Sequence, residues 1–169
     1  NPEINKKMVD EVAKYGKAFG MEVIAWSHNL KKELCDKNDI EYVECLKLFE
    51  KSDILSIHTR LSERTHGFVN NNKLKLMKKN SFLVNTSRGP IIKEIDLVKS
   101  LRDKTIGGAA LDVYDIEPLP ENHILRSTEN LILTPHIGYV ALESYDKFFN
   151  GYFLVIESYL ENKTINIIN

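Results

Sequence analysis

The chain has 169 residues, 43% of them hydrophobic and 28% charged, with a formal net charge of -1. That composition suits one soluble globular domain large enough for a substantial core. The scattered bases exclude the stripe of a nucleic-acid binder, and the apolar runs are too short to cross a bilayer. Cys35 and Cys45 lack a metal or redox spacing, so the expected state is reduced and the compartment cytoplasmic. Cys45 reads as a small core residue. The chain starts at Asn1 without a signal peptide or an initiator Met, as a fragment or trimmed product would.

Taken in order, the pattern predicts a helix over 6–19, then a strand over 21–26, "MEVIAW". A helix over 31–38, a short strand over 41–43 and a helix over 44–51 follow. The strand "DILSIH" (53–58) leads through a polar loop to Asn70, a candidate cap for a helix over 70–78. "KLKLMKKN" (73–80) reads as a solvated helix face. The strand "SFLVN" (81–85), a helix over 94–103 and the strands "GGAALDV" (107–113) and "NLILT" (130–134) come next. A long helix over 141–162 closes the chain. Its aromatic stripe, with Phe148, Phe149, Tyr152 and Tyr159, reads as packing or as part of a subunit interface. Continuous apolar strands suit burial on both faces, and their alternation with helices indicates parallel βαβ units and an open α/β sheet. His28, His58, His66 and His123 have no partners at ligand spacing, so no metal site is expected.

Ligands of such sheets bind beyond the carboxyl ends of the strands. Three successive strand ends carry Arg88, then Asp112 with Glu117, then His136. Each has an ordinary structural reading alone. Together on one rim they favour a site. A guanidinium grips a carboxylate or polarises a carbonyl in fixed geometry. A histidine moves a proton near neutral pH, and a neighbouring carboxylate fixes its tautomer and favours its cation.

"LVNTSRGPII", "GAALDVYDIEPLP" and "LILTPHIG", in this order and spacing, resemble the D-isomer-specific 2-hydroxyacid dehydrogenases. The resemblance implies an α/β Rossmann-like doubly wound parallel sheet and hydride transfer between a D-2-hydroxy or 2-keto acid and NAD. Arg88 would bind substrate, His136 would act as general acid/base, and Glu117 would support it. Ser27, Thr59, Thr86, Ser87, Arg88, Asp112, His136 and Gly138 match cofactor-contacting positions, with Asp112 on the carboxamide side of the nicotinamide. The family also implies a homodimer. Residues 1–140 would form the nucleotide-binding domain, and 141–169 a return segment toward a substrate domain mostly outside this sequence.

Two departures stand out. The family's G-x-G-x-x-G should fall on residues 4–9, where there is no glycine, and no first strand precedes it. Strands 21–26 and 53–58 are then expected to lack their usual shared neighbour. In addition, Ser27 stands where the family often has an Asp that holds the adenine ribose. NADP is therefore open beside NAD. Two other readings stand alongside the enzyme: an NAD(H)-sensing module resembling the corepressors of this family, and a remnant inactive by itself.

Overall fold

The computed structural model describes residues 11–165. Residues 11–18 are helical (α1); the earlier part of the predicted first helix and positions 4–9 lie outside the described residues. The elements that follow are β1 (Ile24–Ala25), α2 (Lys32–Lys37), β2 (Glu41–Tyr42), α3 (Cys45–Lys51), β3 (Ile54–Ile57) and α4 (Asn71–Leu74). Then come β4 (Phe82–Asn85), α5 (Glu94–Arg102), β5 (Gly108–Leu111), β6 (Leu131–Leu133) and α6 (Leu142–Leu160). The described residues form two compact units, divided between Pro135 and His136, and α6 belongs to the second.

All strand pairs among the described residues are parallel, in two separate sheets: β1–β2, and β3–β4–β5–β6. Among the described residues no strand pairs with both β1 and β3. The larger sheet is in register: Leu55, Leu83, Ala109 and Leu131 align across it, and so do Ile57, Asn85, Leu111 and Leu133. With a side-chain period of two, these eight residues share one face. On it pack Phe49 of α3, Leu74 of α4 and Leu97, Val98 and Leu101 of α5. Each such fully buried side chain contributes about 1.5–3 kcal/mol relative to exposure.

The opposite face corrects an expectation. Burial on both faces holds only in part, because Ile54 and Phe82 are 51% exposed and Ile132 is 68% exposed. Helices α3 to α5 all supply the first face, so the apolar runs continue onto a face with less cover.

The predicted cap is present: Asn70 Oδ1 accepts from the amides of Asn72 and Lys73. Helix α4 is shorter than predicted, because Leu76 and Met77 donate three residues back, to Lys73 and Leu74. That tighter turn puts Leu74 and Met77 in the core while Lys75, Lys78 and Lys79 face solvent. The reading of 73–80 as a solvated face is therefore right only for those lysines. Cys35 is buried, and burial and the charge of Asp36 push its thiol pKa up. Cys45 is half-buried against the core.

Candidate active site

The site begins with Asn85, the last residue of β4. It is fully buried, its Nδ2 donates to the Arg88 carbonyl at 2.9 Å, and its Oδ1 accepts from the Ser87 amide at 3.0 Å. A side chain bonded to its own backbone two and three residues on folds the chain into a tight turn. Thr86 and Arg88 are thereby left exposed at the strand tip, with Ser87 half-buried. The Ser87 hydroxyl donates to the carbonyl of Thr59, which follows β3. Gly67 donates to Pro90 O at 2.8 Å, and Val69 bridges Ile92, so the loop after β3 is strapped to the segment after Arg88.

The next strand end is fitted to this turn. Asp112 donates its amide to Asn85 O at 3.0 Å, and its carboxylate accepts from the Thr134 hydroxyl. Glu117 Oε1 accepts from the Tyr114 amide at 2.9 Å. The Tyr114 hydroxyl is directed at the carbonyls of Thr134 (2.7 Å) and Leu111 (3.1 Å). Its pKa is raised by burial first and then by the charge of Asp112. Gly89 lies against this loop so closely that a Cβ there would sit 2.1 Å from the Tyr114 carbonyl carbon. Arg88 and Glu117 therefore sit on segments in direct backbone contact. The peptide bond between Glu117 and Pro118 is cis.

Thr59, Thr86, Ser87, Arg88, Asp112 and Glu117 thus gather beyond the carboxyl ends of β3, β4 and β5. Ser27 lies elsewhere, at the end of β1 in the smaller sheet. His136 and Gly138 belong to the second unit. Within that unit His136 has φ 54°, in the left-handed region that non-glycine residues rarely adopt, and its ring meets Tyr139 edge-on at 5.9 Å. His58, before Thr59, bonds the Ser56 hydroxyl through Nε2 at 2.8 Å, and burial lowers its pKa. Among the described residues no cluster of three or more His, Cys, Asp or Glu could hold a metal.

Sequence reasoning did not assign roles to Asn85 and Gly89. The available signals were a polar residue ending an apolar run and a glycine directly before proline.

The family profile of the D-isomer specific 2-hydroxyacid dehydrogenase NAD binding domain matches residues 7–138. The chain belongs to this family. A glyoxylate reductase from Aeropyrum pernix is 44% identical to this 2-hydroxyacid dehydrogenase domain over 133 residues, which are 79% of the chain and 40% of that enzyme. The NAD-complexed D-isomer specific 2-hydroxyacid dehydrogenase of Lactobacillus delbrueckii superposes with a TM-score of 0.77 at 25% identity, over 95% of this chain and 52% of that one. An acyclic imino acid reductase in complex with NADPH and D-Arg gives 0.72 at 32% identity, over 94% and 49%. The domain described here therefore spans about half, or less, of the length of these relatives. The Rossmann-like α/β fold with parallel sheets agrees with this membership.

Proposed function

We propose that the chain is the cofactor-binding portion of an NAD(P)-dependent oxidoreductase that interconverts a D-2-hydroxy acid and its 2-keto acid. The observation that carries this reading is the contact of Gly89 with Tyr114, which joins the Arg88 turn to the Glu117 loop at the carboxyl edge of a parallel sheet. The polar groups on that edge suit a dinucleotide: Thr59, Thr86 and Ser87 offer hydroxyls, and the buried carboxylate of Asp112 suits an amide. When bound, the cofactor supplies or accepts the hydride.

The chain's own residues would do the rest. Arg88 holds the substrate carboxylate with a planar two-point grip and draws electron density toward the carbonyl oxygen, leaving the carbon open to hydride. His136 donates the proton to that oxygen during reduction and removes it during oxidation. Glu117 orients the imidazole and favours its protonated form. Ser27 and Gly138 lie along the cofactor. The proposed partition is a nucleotide-binding region over 1–140 and a return segment over 141–169, in a cytoplasmic homodimer. No helix among the described residues is long and apolar enough to cross a membrane.

The test is to join this chain to the N-terminal portion of a relative such as the Aeropyrum glyoxylate reductase. Loss of reduced-nicotinamide absorbance is then followed with glyoxylate and other small 2-keto acids. Turnover is expected. A folded chimera with no turnover on any of them, while the parent enzyme is active, overturns the reading.

A further inference from the structure

This inference rests on the dinucleotide reading and asks which adenosine the site takes. Strand β1 ends in a turn, where the Leu30 amide donates to Ser27 O at 3.2 Å. Trp26 stacks on Phe68 with centroids 5.5 Å apart and rings 6° from parallel. The His28 ring stands edge-on to both, at 4.8 Å from Trp26 and 6.0 Å from Phe68. Two aromatic walls therefore hold the imidazole at the tip of β1. Among the described residues neither of its nitrogens has a hydrogen-bond partner, although the residue is exposed. The orientation is fixed while the polar atoms remain available.

The segment at this tip is basic. No carboxylate occurs from Trp26 through Lys32. Lys31 forms no ion pair among the described residues. Of the acids on the neighbouring elements, Asp36 is paired with Lys32 at 3.0 Å, Asp39 with Lys17 at 2.9 Å and Glu41 with Lys51 at 2.7 Å, while Glu33 in the first turn of α2 is exposed. In dinucleotide folds a carboxylate at this strand end accepts from the ribose hydroxyls, and a cation there accommodates a 2′-phosphate. Ser27 offers a hydroxyl donor, His28 a ring N–H and Lys31 a positive charge, which is the complement of a phosphate and not of a bare diol.

We propose that the end of β1 selects a 2′-phosphorylated adenosine, so that the chain favours NADP(H) over NAD(H) through Ser27, His28 and Lys31.

The probes are 2′,5′-ADP and 5′-AMP, which differ only in the 2′-phosphate, titrated calorimetrically into this chain at low salt. The expected result is at least tenfold tighter binding of 2′,5′-ADP, about 1.4 kcal/mol, shrinking as salt is added. His28→Ala with Lys31→Ala should bring the two ligands close to parity. Ser27→Asp should reverse the preference, because it places an anion against the phosphate. Equal affinities, or tighter 5′-AMP, overturn the inference and leave the dinucleotide reading standing. A preference that survives the double variant overturns the assignment to these residues. Failure of both probes to bind overturns the inference together with the dinucleotide reading.

Discussion

Gly89 and Tyr114 meet backbone to backbone: a Cβ on Gly89 would lie 2.1 Å from the Tyr114 carbonyl carbon, 2.3 Å from its oxygen and 2.6 Å from the Asp115 nitrogen. None of these atoms can rotate away as a side-chain tip could. Gly89→Ala should therefore destabilise the fold by about 3 kcal/mol or more, the upper end of overpacking costs. Gly151→Ala is the control. Nothing lies within 4 Å of that position in α6, and helix propensity favours alanine there by about 0.5–1 kcal/mol. Urea midpoints should move in opposite directions, and similar midpoints for the two variants would refute the contact.

Asn85 should be equally intolerant for a different reason. Asn85→Ala leaves the Ser87 amide without its acceptor and the Arg88 carbonyl with the Ile91 amide alone at 3.3 Å, at about 1–3 kcal/mol for a group left unsatisfied. Asn85→Asp keeps the acceptor for Ser87 but loses the donor to Arg88 and buries a carboxylate. Both variants should lower the urea midpoint, with Asn85→Asp recovering as pH falls and the carboxyl becomes protonated. An Asn85→Asp midpoint that ignores pH would contradict that account.

His58 gives stability a pH dependence of defined sign. Burial lowers its folded pKa below the ordinary histidine value, which the unfolded chain retains. Below about pH 6.5 the unfolded state thus binds a proton that the folded state resists, so stability falls as pH falls through that region. His58→Gln retains a polar partner for Ser56 and should flatten this slope. Thermal unfolding from pH 5 to 8 checks it, and an unchanged slope in the variant rules His58 out as the source.

In the chimeric enzyme, His136→Ala should depress turnover by about 10²–10⁴, the usual share of general acid–base catalysis. Under the proposed roles, Glu117→Gln would remove a charge favouring the imidazolium, so the pH optimum for keto-acid reduction should move lower. Arg88→Lys should chiefly raise KM, because an ammonium cannot reproduce a planar two-point grip. Steady-state kinetics against pH distinguish the three. Full activity in His136→Ala would eliminate the proposed acid.

Much of this was legible in the sequence. The strands were visible because each is a short apolar run closed by polar or turn-forming residues, and the carboxyl-end rule then placed Arg88 and Glu117 on one edge. Strand lengths were less legible. The run 21–26 pairs only at Ile24 and Ala25, since ladder length depends on the partner, and β2 offers only Glu41 and Tyr42. The fit of Gly89 to Tyr114 is a tertiary fact with no periodic signal. The positive φ of His136 is likewise invisible, because a left-handed residue announces itself only when it is glycine.

The split between β1–β2 and the larger sheet has a consequence for the order in which the molecule loosens. The smaller sheet rests on a cluster of three buried residues, Ala13, Cys35 and Ile40, whereas the cluster under the larger sheet holds eighteen, counted among the described residues. Opening the first exposes far less apolar surface, so it should be the earlier cooperative unit to come apart under native conditions. The amides of Glu41 and Val43, bonded to Val23 O and Ala25 O, should exchange with solvent well before that of Asp112, bonded to Asn85 O. Ser27 and His28 stand at the tip of that looser sheet. A nucleotide held there would slow exchange at Glu41 and Val43 first, so its arrival would register as local tightening before any change in global stability.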